Sequence, residues 1–183
     1  MNLTRIHCIA LVALLLLAPG STYAQAITTR TSGQISVYFS PNGGAESAVV
    51  SEISQAKASI LVQAYSFTSK PIYSALAEAK GRGVDVRVLV DKEDQAIDVR
   101  GNGARYDLAH GVPVAVDYIA GQGIAHNKVI VIDGRTVITG SFNFSRAAET
   151  TNAENLVVFH DAPELAGAYS QNWLRRASGA QGY

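Results

Sequence analysis

The chain has 183 residues, of which 48% are hydrophobic and 16% charged, which excludes a disordered or fibrous chain and suits one globular domain with a real core. Lysine and arginine number 15 against 15 aspartates and glutamates, a formal net charge of zero. That balance excludes a globally basic nucleic-acid binder, so any attraction to phosphate must come from local clustering.

Residues 1–26 read as a leader. Arg5 supplies a positive start, Ile9 to Ala18 an apolar core and Pro19-Gly20 a break, and the small residues Thr22, Ala24 and Ala26 allow cleavage after Ala24 or Ala26. The apolar core falls short of the about 20 residues a spanning helix needs. The expectation is a signal peptide over 1–26 and a single domain over 27–183. The product is then periplasmic or secreted, with no stable membrane association after cleavage. Cys8, the single cysteine, lies in the leader, so the mature chain has no disulfide, thiol nucleophile or cysteine-based zinc site.

Strands and helices then alternate. Ile35, Val37 and Phe39 share the period of a strand, ended by Pro41-Asn42-Gly43-Gly44. A helical period runs from Ala45 to Ala58, and Ser59 to Tyr65 is the next strand. Ser69 caps a helix starting near Pro71 and stopping at Gly81/Gly83. Val84 to Val90 is a strand, followed by Asp91-Lys92-Glu93-Asp94. That acidic run is spaced like a loose cation site but reads better as a solvated loop. Ala104 to His110 is helical, and Val112 to Val116 is a short strand with Pro113 near its start. Ala162 to Arg176 is a last helix, preceded by a strand over Asn155 to Phe159. The fold class is therefore α/β: a mixed central sheet flanked by helices on both faces, in a single domain.

The chemistry concentrates between His126 and Asn143. Lys128 to Ile132 (KVIVI) is a short buried strand, Asp133-Gly134 a hairpin turn, and Thr136 to Thr139 the returning strand. His126 and Lys128 share a parity and hence a face. Asp133 has the opposite parity and sits at the turn, so it is expected to support the hairpin or a neighbouring cation. Beyond Gly140, which lets the backbone bend close to a ligand, Ser141 and Asn143 again share a face. An imidazole, an ammonium, a hydroxyl and an amide converging in this way suit a phosphate diester. His126 is the candidate nucleophile, because imidazole can attack phosphorus and leave a phosphohistidine that water hydrolyses. Ser141 is an alternative nucleophile, although no histidine–acid pair is placed to activate it.

The spacing H-x-K, four residues, Asp, six residues, G-S-x-N fixes six positions, a pattern that arises by chance about once in 10⁷–10⁸ starts. It resembles the HKD motif of the phospholipase D superfamily. Val62-Gln63-Ala64-Tyr65-Ser66-Phe67 and Gly83-Val84-Asp85-Val86-Arg87-Val88 resemble its small bacterial periplasmic endonuclease branch. The resemblance implies a phospholipase D-like fold and a metal-independent phosphodiesterase without cofactor. Lys128, Ser141 and Asn143 bind the phosphate, and Glu154, preferred over Glu149, orients the imidazole. Asp133 and Gly140 support the motif structurally, and no residue is assigned to a metal. The family uses two such motifs and this chain has one. The expectation is a homodimer with the active site at the two-fold axis, in which His126 of the partner subunit serves as general acid. His110 and His160 are the alternatives within the chain. The expected substrate is DNA, with RNA as second candidate, attracted by a local patch of Lys128, Arg146 and Lys92. The competing readings are a lipid phosphodiesterase of the same superfamily and a catalytically silent nucleic-acid-binding domain.

Overall fold

The computed structural model describes residues 26–96 and 101–183, so the expected leader lies outside the described residues up to Gln25. Among the described residues, eight strands form one sheet in the order β1-β7-β6-β5-β2-β3-β4-β8. They are β1 (Ile35–Ser40), β2 (Ser59–Ala64), β3 (Asp85–Asp91), β4 (Val114–Asp117), β5 (Lys128–Ile132), β6 (Thr136–Gly140), β7 (Glu154–Phe159) and β8 (Gln181–Gly182). β2, β3 and β4 run parallel to one another. β5 returns antiparallel to β2, and β6, β7 and β1 continue antiparallel beyond it. The sheet is mixed, as the hairpin and the alternation of elements predict.

The helices are α1 (Ala45–Gln55), α2 (Lys70–Gly81), α3 (Gly103–Ala109), α4 (Arg146–Thr150) and α5 (Pro163–Ala177). Side-chain alternation along the central strands divides them between two layers. Ile130, Ile132 and Ile138 join Ile60, Val62 and Val88 in the larger core, with Val49 and Ile53 of α1 and Ile72 and Leu76 of α2. Val129, Val131 and Val137 point the other way, into a smaller cluster with Ala166, Leu165 and Tyr169 of α5. Trp173 of α5 is buried, and its indole N–H donates to the carbonyl of Val62 at 2.9 Å. Side-chain caps start three helices: Ser69 accepts from the Ile72 N–H, Asn102 from Arg105 and Ser145 from Ala148.

Asp133 ties the two halves of the sheet together. Asp133 and Gly134 have φ of 52° and 63°, the positive values a tight hairpin turn requires, and the Arg135 N–H closes it on the Ile132 carbonyl. The Asp133 carboxylate anchors this turn to the α1–β2 connection, beside the Lys57 charge. It reaches back to accept the N–H groups of Lys57, Ala58 and Ser59 at 2.9, 2.7 and 2.9 Å. Those bonds explain why α1 stops at Gln55 and not at the expected Ala58: the next N–H groups are drawn out of the helical ladder. Burial pushes the Asp133 carboxyl upward, but the three N–H groups and the Lys57 charge outweigh it and hold it below the ordinary 3.8.

Replacing this carboxylate should cost stability without touching chemistry. Asp133→Asn tolerates the positive φ but loses the charge-assisted bonds, so urea unfolding should show a loss of about 1–3 kcal/mol. A carboxyl depressed in the fold stabilises above its unfolded value and ceases to as pH falls through its folded value. The gap between wild type and variant should therefore be full near neutrality and close towards acid; a gap constant with pH would contradict this role.

Candidate active site

The strand directions bring several ends to one edge of the sheet: the ends of β2, β3, β4 and β6, and the starts of β5 and β7. The segment entering β5 is pinned from both sides. The Tyr65 N–H, just past β2, donates to the Asn127 carbonyl at 3.0 Å, and the Ala125 N–H donates to the carboxylate of Asp91 at the end of β3. His126 is left exposed between these anchors, whereas Lys128 is buried at 6% exposure. The Lys128 ammonium donates to the His126 carbonyl at 2.9 Å and lies 4.9 Å from the centre of the Tyr65 ring. The His126 ring packs on that same tyrosine, centre to centre 4.4 Å, with planes inclined at 55°.

Burial pushes the Lys128 ammonium below the ordinary 10.5, while the negative charge of Glu154, at the start of β7, works in the opposite direction. Lysine has three N–H donors, and one is committed to the His126 carbonyl. Ser141, just past β6, is exposed, and its Oγ accepts from the backbone and side-chain N–H groups of Asn155 at 3.0 and 3.3 Å. Two accepted bonds use the hydroxyl's lone pairs and leave its proton free to donate, which suits an anion-binding role better than that of a nucleophile. Asn143 is half-buried, and its side-chain oxygen has no partner within the chain among the described residues. The Glu154 carboxylate accepts from the Asn152 amide, whereas that of Glu149 is engaged by the Glu46 N–H at the start of α1.

The edge thus gathers an exposed imidazole, a buried ammonium, a hydroxyl with a free proton and an amide. A family model described as "Cardiolipin synthase, PLD-like domain" matches residues 49–176, which include all of them. The chain belongs to the phospholipase D family. It is a hydrolase of phosphodiester bonds. Relatives agree along most of its length. It is 39% identical over 150 residues to a phospholipase D of Rickettsia conorii, covering 82% of this chain and 72% of that one. Among solved structures, Nuc from Salmonella typhimurium, a phospholipase D family member, matches with a TM-score of 0.77 at 41% identity, over 82% of this chain and 97% of that one. NucT from Helicobacter pylori matches with a TM-score of 0.73 at 25% identity, over 82% and 99%.

In this family member, several sequence expectations move. Gly140 makes its close approach to the neighbouring strand: an added Cβ would stand 2.2 Å from the Asn155 carbonyl oxygen. The acidic run is not a solvated loop, since Asp91 and Asp94 are fully buried, Asp91 on the Glu93 and Ala125 N–H groups and Asp94 under the Tyr183 hydroxyl. The Lys92 ammonium donates to the carbonyls of Ile119 and Gly121 at 3.2 and 3.0 Å, which ties it to that loop and leaves one donor for the expected phosphate patch. Among the described residues, no three His, Cys, Asp or Glu side chains gather as a metal site. His110 caps α3 and stacks on Tyr106, leading into the start of β4, and His160 follows the end of β7. Both lie at the opposite end of the sheet from His126, about 17 Å away by strand length. Sequence reasoning missed Tyr65, Asp91 and Asn155; the one signal for Asn155 was its place directly after Glu154.

The depressed lysine should set an alkaline limit if it binds the phosphate. Phosphodiester hydrolysis should decline with rising pH at a value below 10.5, as the Lys128 ammonium deprotonates. Glu154→Gln removes the opposing charge and should move that limb lower still. Rate–pH profiles of the two proteins check this; an unmoved or raised limb in the variant would contradict it.

Proposed function

We propose that the chain is an exported, metal-independent endonuclease that cleaves DNA, with RNA as second substrate, through a phosphohistidine on His126. The observation that carries this reading is the pairing of an exposed imidazole with a buried ammonium at an open sheet edge. A diester can approach such an edge from solvent, with its non-bridging oxygens on Lys128, Ser141 and Asn143 and its phosphorus before His126. A nucleic-acid backbone presents phosphates in this way without reference to base sequence, so cleavage carries little sequence preference. In the first step an imidazole nitrogen of His126 forms a P–N bond as the P–O bond to the leaving group breaks, and a general acid gives that oxygen its proton. In the second, water attacks the phosphohistidine, losing its proton to the same group, and the imidazole is released. Glu154 orients the imidazole in this scheme.

The general acid is assigned to His126 of the partner subunit. The distance to His110 and His160 supports this, and so does the apolar character of the edge. Phe39, Tyr118 and Ile124 are exposed on segments that reach this end of the sheet, and a second copy would cover them. The signal peptide over 1–26 and periplasmic or secreted location belong to the same reading. Among the described residues no helix is long and apolar enough to cross a membrane.

The second reading is a lipid phosphodiesterase, favoured by the Rickettsia relatives named phospholipase D. One comparison separates the two. Supercoiled plasmid and phosphatidylcholine vesicles are each incubated with wild type and His126→Ala in excess EDTA. The proposal expects plasmid nicking by wild type, loss of at least about 10³-fold in the variant, and no vesicle hydrolysis. Vesicle cleavage without nicking selects the lipid reading, and activity restored by Mg²⁺ or Zn²⁺ but not Na⁺ overturns metal independence.

A further inference from the structure

Tyr65 is the side chain that touches both chemical groups of the site, and the chemistry above leaves it without a role. Its backbone N–H holds Asn127, its ring faces His126 at 4.4 Å and Lys128 at 4.9 Å, and its hydroxyl donates to the Glu93 carboxylate at 2.8 Å. Glu93 is itself anchored, since its N–H donates to Asp91 Oδ1 at 2.9 Å, and the other oxygen of Asp91 holds Ala125. The contacts close a ring: Tyr65 to Glu93, Glu93 to Asp91, Asp91 to Ala125, Ala125 to its neighbour His126, and His126 back to Tyr65. We propose that Tyr65 is a positioning residue, whose ring, fixed by Glu93, sets the direction in which the His126 imidazole presents its nitrogens to phosphorus.

The physical need is clear from the exposure of His126. An imidazole at the surface turns broadly about its second side-chain torsion, and attack requires the nitrogen in line with the leaving oxygen. A ring wall against one face removes most of that freedom without using either nitrogen. The faces of the tyrosine ring carry negative quadrupole density, which favours the Lys128 ammonium over it and the imidazolium form from which His126 gives a proton. The Glu93 bond raises the phenol above its ordinary 10.0, as do its slight burial and the charges of Glu93 and Asp91, so the hydroxyl stays a donor and the tether holds.

The inference rests on His126 as the reacting group, so the test has one arm that needs no activity. In wild type the carbon-bound imidazole protons of His126, assigned through His126→Ala, should be shifted by the adjacent ring current. Tyr65→Leu should abolish that shift and Tyr65→Phe retain it. With bis(p-nitrophenyl) phosphate, Tyr65→Leu should lower kcat about 10²-fold with KM within about twofold, and Tyr65→Phe should recover most of that loss. Glu93→Ala, which leaves the ring but frees it, should lower kcat about tenfold, and it decides the matter if Tyr65→Leu does not fold. No ring-current shift in wild type overturns the placement, whatever the activity. An unchanged kcat in both Tyr65→Leu and Glu93→Ala, or a loss carried by KM, overturns positioning in favour of a bystander or a substrate-stacking face. A wild type inactive on every diester but showing the shift refutes the reaction assigned to His126, not the ring's hold on it.

Discussion

An ammonium group almost sealed from water sets the terms for the site. Taking a lysine charge out of water costs several kcal/mol unless the surroundings replace its hydration. Lys128 recovers part of this from the His126 carbonyl, the Tyr65 ring and the negative charge of Glu154. Donor capacity remains, and a bound phosphate is the natural group to take it. Under the proposed function, the same lysine that destabilises the empty site would strengthen the occupied one, because its attraction acts where water is largely excluded. His126 sits two residues away and exposed, so an anion held by Lys128 would lie beside the imidazole proposed as nucleophile.

Topology makes this arrangement possible. Had β5 joined the sheet parallel to β2, Lys128 would lie at the opposite end from Tyr65 and Asp91. The antiparallel return opposes Lys128 to Ala64, and the next two strands bring Gly140 opposite Leu156, beside Glu154. Two constraints hold the register. Asp133 fastens the hairpin to the α1–β2 connection at one end. At the other, Gly140 allows an approach to the Asn155 carbonyl that no larger residue could make unshifted, and Asn155 in turn holds Ser141.

Much of this was legible from local pattern. KVIVI and TVIT alternate between the two cores as their period predicts, and the motif residues fall at the ends of paired strands. The parity of Asp133 separated it correctly from His126 and Lys128, although its partners lie some 75 residues earlier in the chain. What escaped was carried by such long-range bonds. Asp91 reads as one acid in a polar run, and only the fold brings it to Ala125, 34 residues on. Asp94 meets Tyr183 across 89 residues, at the strand β8 that its two-residue length hides from any periodicity. Lys92 looks like a free surface cation until the loop at Ile119–Gly121 turns its carbonyls onto it. Tyr65 reads as the last residue of an apolar strand, and nothing local reveals which ring it will face.

In the proposed dimer each chain carries half of the catalytic machinery. Wild-type and His126→Ala chains can be co-refolded at a wild-type fraction f, with exchange verified by a tag on one subunit. If both imidazoles must come from a pair, activity follows f², about one quarter at equal mixing. A linear decline, about one half at equal mixing, would mean that each chain holds a complete site and would contradict the account.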